Sequence, residues 1–200
     1  MSDIRLKHSY SVYFNSGIEN RKNMSKEAFQ TQLQKITSFT TDEEFWQLFL
    51  RLKLPTSLHL KSKLFIFKGE VSPVWEHDEN KSGGRIYVKM PLNRETDDIW
   101  QNLVLEFLTG FSNQEYLDEH VNGIELGIRQ VDNICMAIWV RNNDFRIVKD
   151  IFYHLKRTVP FPKNIDLDYS EHPKKFLYGG AVPTQDQIGS TQDNYHQVRE

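Results

Sequence analysis

Two hundred residues can bury one sizeable core but leave two domains cramped, and 38% hydrophobic with 12% aromatic side chains is ordinary globular composition. A formal charge of -2 lacks the basic excess of proteins that grip long stretches of nucleic-acid backbone, so any nucleic acid is expected at one local spot. Cys135, the single cysteine, excludes an internal disulfide, and neither an apolar leader nor a run near the roughly 20 residues that span a bilayer is present, so a cytoplasmic protein, with the nucleus as a second compartment, is expected.

In chain order, the first strand is expected at "SYSVYF" (9–14), where Tyr10, Val12 and Phe14 alternate, followed by a polar loop and a second strand at "LQKITSF" (33–39). Thr41 and Glu44 form a capping box opening a helix, "TDEEFWQLFLRL", whose Phe45, Leu48, Phe49 and Leu52 make a buried stripe. Strands follow at "KLFIFK" (63–68) and "GRIYVKM" (84–90). The second helix, "DDIWQNLVLEFLTG", begins with acid at its positive end and stops at Gly110. A hairpin is expected from 122–130 and 133–141, turning at Val131, Asp132 and Asn133. Asp144 caps a third helix, "DFRIVKDIFYHLKRTV", which ends before Pro160, and a last strand is expected at 165–171. Hairpins interrupted by three amphipathic helices predict an α+β fold, a mostly antiparallel sheet with helices on one face. Residues 1–178 make the domain, and the Gly/Gln/Ser/Asp-rich 179–200 read as a flexible tail.

Strand parity assigns the faces. Ile86, Val88 and Met90 suit the helix-covered face, leaving Arg85, Tyr87 and Lys89 opposite; Ile124, Leu126 and Ile128 pack inward, leaving Glu125, Gly127 and Arg129. Trp139 shares its side with Ala137 and Cys135. The uncovered face is therefore basic and aromatic, on a chain that is not basic overall. Into this setting falls "PVWEHDENKSGGR" (73–85), which puts the largest aromatic in a polar loop with a carboxylate, Glu76, directly beside it. His120, His154 and His172 have no metal-ligand spacing, Cys135 has no histidine partner motif, and neither metal nor cofactor is expected.

Together with "FTTDEEFW", "DIWQNLVLEFLTG", "GIELGIRQVDNICMAIW" and "DYSEH", this loop resembles the messenger-RNA cap-binding translation initiation factor 4E family, in the family's order over residues 8 to 180. The resemblance implies a curved antiparallel sheet of about eight strands with three helices on its convex face. It implies a monomeric, non-enzymatic binding module for the 7-methylguanosine cap in translation initiation. Trp75 would be one of two aromatics sandwiching the methylated base, and Glu76 would pair with its N1 and N2 donors. Methylation makes the base cationic, so stacking gains a cation–π component and the carboxylate pairs are charge-assisted. The second aromatic aligns with Phe29, where the best-known members carry Trp, which implies modest affinity. Arg129 matches an arginine for the triphosphate, Arg85 one that supports the site, and Trp139 a tryptophan near the methyl group. The family's further lysine has no counterpart in the 131–133 turn, and Lys174 or Lys175 would substitute from the last loop.

On the convex face, Trp46 matches the residue on which the family docks a helical Tyr-x-x-x-x-Leu-apolar peptide from a 4G-type scaffold or a 4E-binding protein, with Asn102, Leu105 and Glu106 as the other wall. Asp42 stands where the family is usually apolar. Two alternatives remain open on the residues: a cap-binding translational repressor of the same fold, and a cap- or nucleotide-processing enzyme using Glu76 and Glu79.

Overall fold

Alternation along seven strands decides which face of a single sheet is covered by helices. The computed structural model describes residues 4–17, 32–130 and 133–172; Phe29, Val131, Asp132, Lys174, Lys175 and the expected tail lie outside them. The strands are β1 (Arg5–Asn15), β2 (Gln34–Thr41), β3 (Lys63–Lys68), β4 (Gly84–Met90), β5 (Val121–Gln130), β6 (Asn133–Val140) and β7 (Asp168–Glu171). They form one sheet in the order β2-β1-β3-β5-β6-β4-β7, antiparallel at every junction. Among the described residues the sheet thus has seven strands, against an expectation of about eight.

Helices α1 (Asp42–Phe49), α2 (Arg94–Leu108), α3 (Glu115–Glu119) and α4 (Phe145–Thr158) accompany the sheet. The Thr41 hydroxyl accepts from the Glu44 amide at 3.3 Å and the Glu44 carboxylate accepts from the Thr41 amide at 3.2 Å, so α1 starts where the capping box says it should. Helix α2 starts three residues before the expected acids, because the Asn93 side chain accepts from the Thr96 amide and fixes the first turn there. Asp144 caps α4 through the Arg146 amide, and Lys156 and Arg157 sit at its negative end. Phe45 from α1, Leu103 and Phe107 from α2, and Ile151 and Leu155 from α4 bury one core with Ile86, Ile124, Leu126, Met136 and Ile138 of the sheet.

Three departures from the sequence reading have local causes. Strand β1 reaches back to Arg5 because Ile4 and Asp42 clamp it to the start of α1, the Asp42 amide donating to the Ile4 carbonyl and the Ile4 amide to the Asp42 carboxylate. Strand β7 starts at Asp168, not 165, because the Ile165 amide turns back to the Pro162 carbonyl. Between α2 and α3, Gly110, Phe111, Ser112 and Asn113 all have positive φ, from 54° to 63°, a left-handed turn costing about 1–2 kcal/mol for each non-glycine residue. Full burial of Phe111 and hydrogen bonds from Ser112 Oγ to the Glu106 carboxylate at 3.0 and 3.2 Å offset that cost.

One buried ionic cluster ties the sheet to α3. The Asp118 carboxylate, fully buried, takes Lys68 at 2.5 Å, His8 at 2.6 Å and Lys7 at 2.9 Å. Burial alone would raise its carboxyl, but these three donors hold it down to about 2.

Candidate functional site

The concave face is three rows of side chains running across the strands. The first row is Ser11, Phe67, Gly123, Trp139 and Arg85; the second is Tyr13, Phe65, Glu125, Ala137 and Tyr87; the third is Asn15, Lys63, Gly127, Cys135 and Lys89. Arg129 lies two residues beyond Gly127 on β5 and is exposed. One end of the face is therefore aromatic and the other cationic.

At the aromatic end Tyr13, Phe65, Phe67 and Trp139 form a buried cluster separate from the helix-side core, with the Phe67 and Trp139 rings edge to face at 5.3 Å. Gly123 makes room for it, since a Cβ there would meet the Phe67 ring at 2.4 Å. Trp75 is half-buried and packs against this bed together with Val71 and Leu33, with half-buried Glu76 beside it. The lone tryptophan of the polar loop is thus anchored on an aromatic floor.

The loop holds its shape through Asn80, which is wholly buried. Its side-chain amide donates to the Ser72 and Val74 carbonyls, both at 2.9 Å, and its oxygen accepts from Asn122 Nδ2 at 2.9 Å. Asn122 also donates to the Glu79 carbonyl at 2.6 Å, and Arg141 pairs with the Glu79 carboxylate at 3.2 Å. The loop closes through Gly83 and Gly84 because neighbouring backbone leaves no space there. A Cβ at Gly83 would lie 1.8 Å from the Val140 carbonyl oxygen, and one at Gly84 would lie 2.5 Å from that of Ser170.

The electrostatics centre on Glu125, which is 2% exposed and which the sequence reading placed on this face without assigning it a role. One oxygen accepts from Lys63 at 2.5 Å; the other accepts from Trp139 Nε1 at 3.0 Å and pairs with Arg85 at 3.2 Å. Burial would raise the carboxyl, but Lys63 and Arg85 hold it down to about 2. Arg85 also lies over the Trp139 ring, 5.7 Å from its centroid. His172, from the "DYSEH" motif, packs on the same indole with ring centroids 4.5 Å apart; burial, reinforced by nearby Arg85, lowers it to about 4.

The structure thus brings Trp75, Glu76, Arg85 and Trp139 to one end of the concave face and leaves Arg129 at the other; Phe29, Lys174 and Lys175 lie outside the described residues. Trp139 is 5% exposed and is part of the floor. On the helix side Trp46 is 45% exposed and packs on Phe45 and Phe49 of its own helix. Asn102 is exposed and Leu105 half-buried, but the Glu106 carboxylate meets His154 Nε2 of α4 at 2.5 Å and accepts from Ser112 of the turn after α2. Glu106 therefore belongs to an internal network and not to the wall of a groove. A cavity of about 270 Å³ between α3 and α4, lined by Tyr116, Asp150, Tyr153 and Arg157 among others, also lies on the helix side, away from the Trp75 loop.

The sequence model of the eukaryotic initiation factor 4E family matches residues 5–181, nearly the whole described fold. This chain belongs to that family. The bovine (Bos taurus) eukaryotic translation initiation factor 4E is 30% identical over 181 residues, covering 85% of this chain and 82% of its own. The translation initiation factor NCBP of Oryza sativa subsp. japonica is 30% identical over 147 residues, 73% of this chain; the match spans 63% of that relative, less than two thirds of its length. Among solved structures, C. elegans eIF4E-3, in a complex with the 4E-binding protein Mextli and cap analog, superposes with a TM-score of 0.75 at 23% identity, over 86% of this chain and 94% of that one. The expected α+β architecture, a curved antiparallel sheet with helices on one side, agrees with that fold.

Proposed function

We propose that this chain binds the 7-methylguanosine cap of messenger RNA on its concave face and a helical peptide of a 4G-type scaffold or 4E-binding protein on its helix side, in cytoplasmic translation initiation. The observation that carries the cap reading is the Trp75–Glu76 loop, clamped by Asn80 and seated on the aromatic floor of the concave face. Trp75 stacks on the cationic base, gaining about 0.5 to 2 kcal/mol from cation–π attraction where the pair is desolvated. Glu76 accepts from the N1 and N2 donors of guanine, a pair adenine lacks, and Arg129 at the far end meets the phosphates. The exposed indole of Trp46 is the anchor proposed for the peptide.

This reading is of a binding module with no chemical step. In the acidic run that a nucleotide-processing enzyme would use, Glu79 is paired with Arg141 and Asp78 with Lys81 at 2.8 Å, so neither is poised beside Glu76 as a base.

The test is quenching of tryptophan fluorescence on titration with 7-methyl-GTP, with GTP as the control. Saturable quenching by the methylated nucleotide, much weaker with GTP, is expected. Equal or absent quenching overturns the cap reading. A pull-down on a Tyr-x-x-x-x-Leu-apolar peptide then separates the two roles: capture is expected, and failure would favour the repressor.

A further inference from the structure

The three-row arrangement places one buried carboxylate between the aromatic and cationic ends of the concave face, and it reaches both. Glu125 stands in the middle row, one of its oxygens taken by Lys63 from the cationic row, the other by Trp139 and Arg85 from the aromatic row. Two of the four cations on these rows and their extension, Lys63 and Arg85, thus have their charge answered inside the protein. Of the other two, Lys89 is exposed and lies over the Tyr87 ring, and exposed Arg129 makes no ion pair among the described residues.

We propose that Glu125 is a positioning residue that sets the ligand specificity of this face: it fixes the Trp139 floor and withholds Lys63 and Arg85 from the phosphate chain, so that the site reads the base strongly and the number of phosphates weakly. The inference rests on the cap reading of the same face. Three features carry it. The carboxylate is closed off from water, so its pairs are little screened by salt or by solvent. Its three partners come from β3, β4 and β6, so it fixes the relative positions of the two ends across the sheet. A phosphate that competed for Lys63 or Arg85 would have to leave a buried carboxylate with one of its partners removed, which is costly. Phosphate recognition is thereby left to Arg129 and Lys89.

The experiment measures affinities of the full chain for 7-methyl-GMP and 7-methyl-GTP by fluorescence titration, and takes their ratio. For the unaltered protein the ratio is expected to be small. Glu125→Gln keeps the shape and an acceptor for the indole but releases two cations, and should raise the triphosphate-to-monophosphate ratio about five-fold or more. Lys63→Gln gives a second reading that does not depend on the fold tolerating a change at Glu125: it should leave the ratio within error of the unaltered protein, while Arg129→Gln lowers it. A folded Glu125→Gln protein with an unchanged ratio, or a Lys63→Gln protein whose ratio falls as far as that of Arg129→Gln, overturns the inference. Failure of the unaltered protein to prefer 7-methyl-GTP to GTP is a separate result that removes the cap reading itself, and this inference with it.

Discussion

The two faces of the sheet are built by different means. On the helix side, aliphatic residues of five strands meet Phe45, Leu103, Phe107 and Ile151 in one continuous core, with the Asp118 cluster and the Glu106–His154 pair as buried ionic groups beside it. On the concave side, among the described residues, burial comes from four aromatics, a loop folded over them and one carboxylate with three donors. The comparison teaches where stability and recognition reside. An aliphatic core is non-directional and tolerates no ligand, whereas an aromatic floor with a fixed polar centre holds its shape and still leaves a face to be stacked upon.

Mutations should separate the two. The largest effect expected is Phe107→Ala, which opens a cavity in the helix-side core and should cost about 3–5 kcal/mol in a urea titration; a loss under about 1 kcal/mol would mean the core repacks around α2. Next comes Asn80→Ala, which touches no proposed ligand atom yet leaves the Ser72 and Val74 carbonyls and the Asn122 amide short of a partner. It should cost about 1–3 kcal/mol of stability and weaken cap binding as well. If stability falls and cap affinity does not, the loop is held by something other than this clamp. Trp75→Ala, at the half-buried rim of the concave cluster, should reverse the proportion, losing about 1–3 kcal/mol of cap affinity with a smaller change in unfolding midpoint than Phe107→Ala gives.

The smallest effect sharpens the electrostatic side of the comparison. His172 sits at about 4 in the folded protein because burial and Arg85 disfavour its charge, against about 6.5 for an exposed histidine. Between those values the unfolded chain binds more protons than the folded one, so His172 makes stability decline as pH drops from about 6.5 to about 4, after which its contribution is flat. Denaturant midpoints across that window should show the slope, and His172→Gln should flatten it. Glu125 and Asp118 act lower, their contribution being present above the ordinary carboxylate range and lost only as pH falls towards about 2.

Much of this was legible in the residues. Parity placed Arg85, Tyr87 and Lys89 against Ile86, Val88 and Met90 correctly, because a strand side chain has only two directions to choose from. The Thr41 capping box and the Asp144 cap were visible because each is a contact between near neighbours in sequence. The left-handed turn at 110–113 was not, because nothing in the identity of Phe111 or Ser112 announces positive φ; a distant pocket for the ring and Glu106 for the hydroxyl decide it. Glu125 was seen to face the right way but its role was not, since its partners lie on three other strands and only register brings them within reach. A lone carboxylate among the apolar residues of a hairpin, on the basic side of the parity, was the available signal.

The pair Gly83–Gly84 has a consequence for reading relatives. Its side-chain-free backbone is required by the carbonyls of Val140 and Ser170, whereas Trp75 packs from the neighbouring loop onto the aromatic floor, with Glu76 beside it, where the ligand is proposed to stack. The two halves of the Trp-Glu to Gly-Gly-Arg signature therefore answer to different selective pressures. In a descendant that gives up its ligand, the glycines should outlast the tryptophan and its acid, so a search keyed to the glycines recovers ancestry while one keyed to Trp75 and Glu76 recovers occupation.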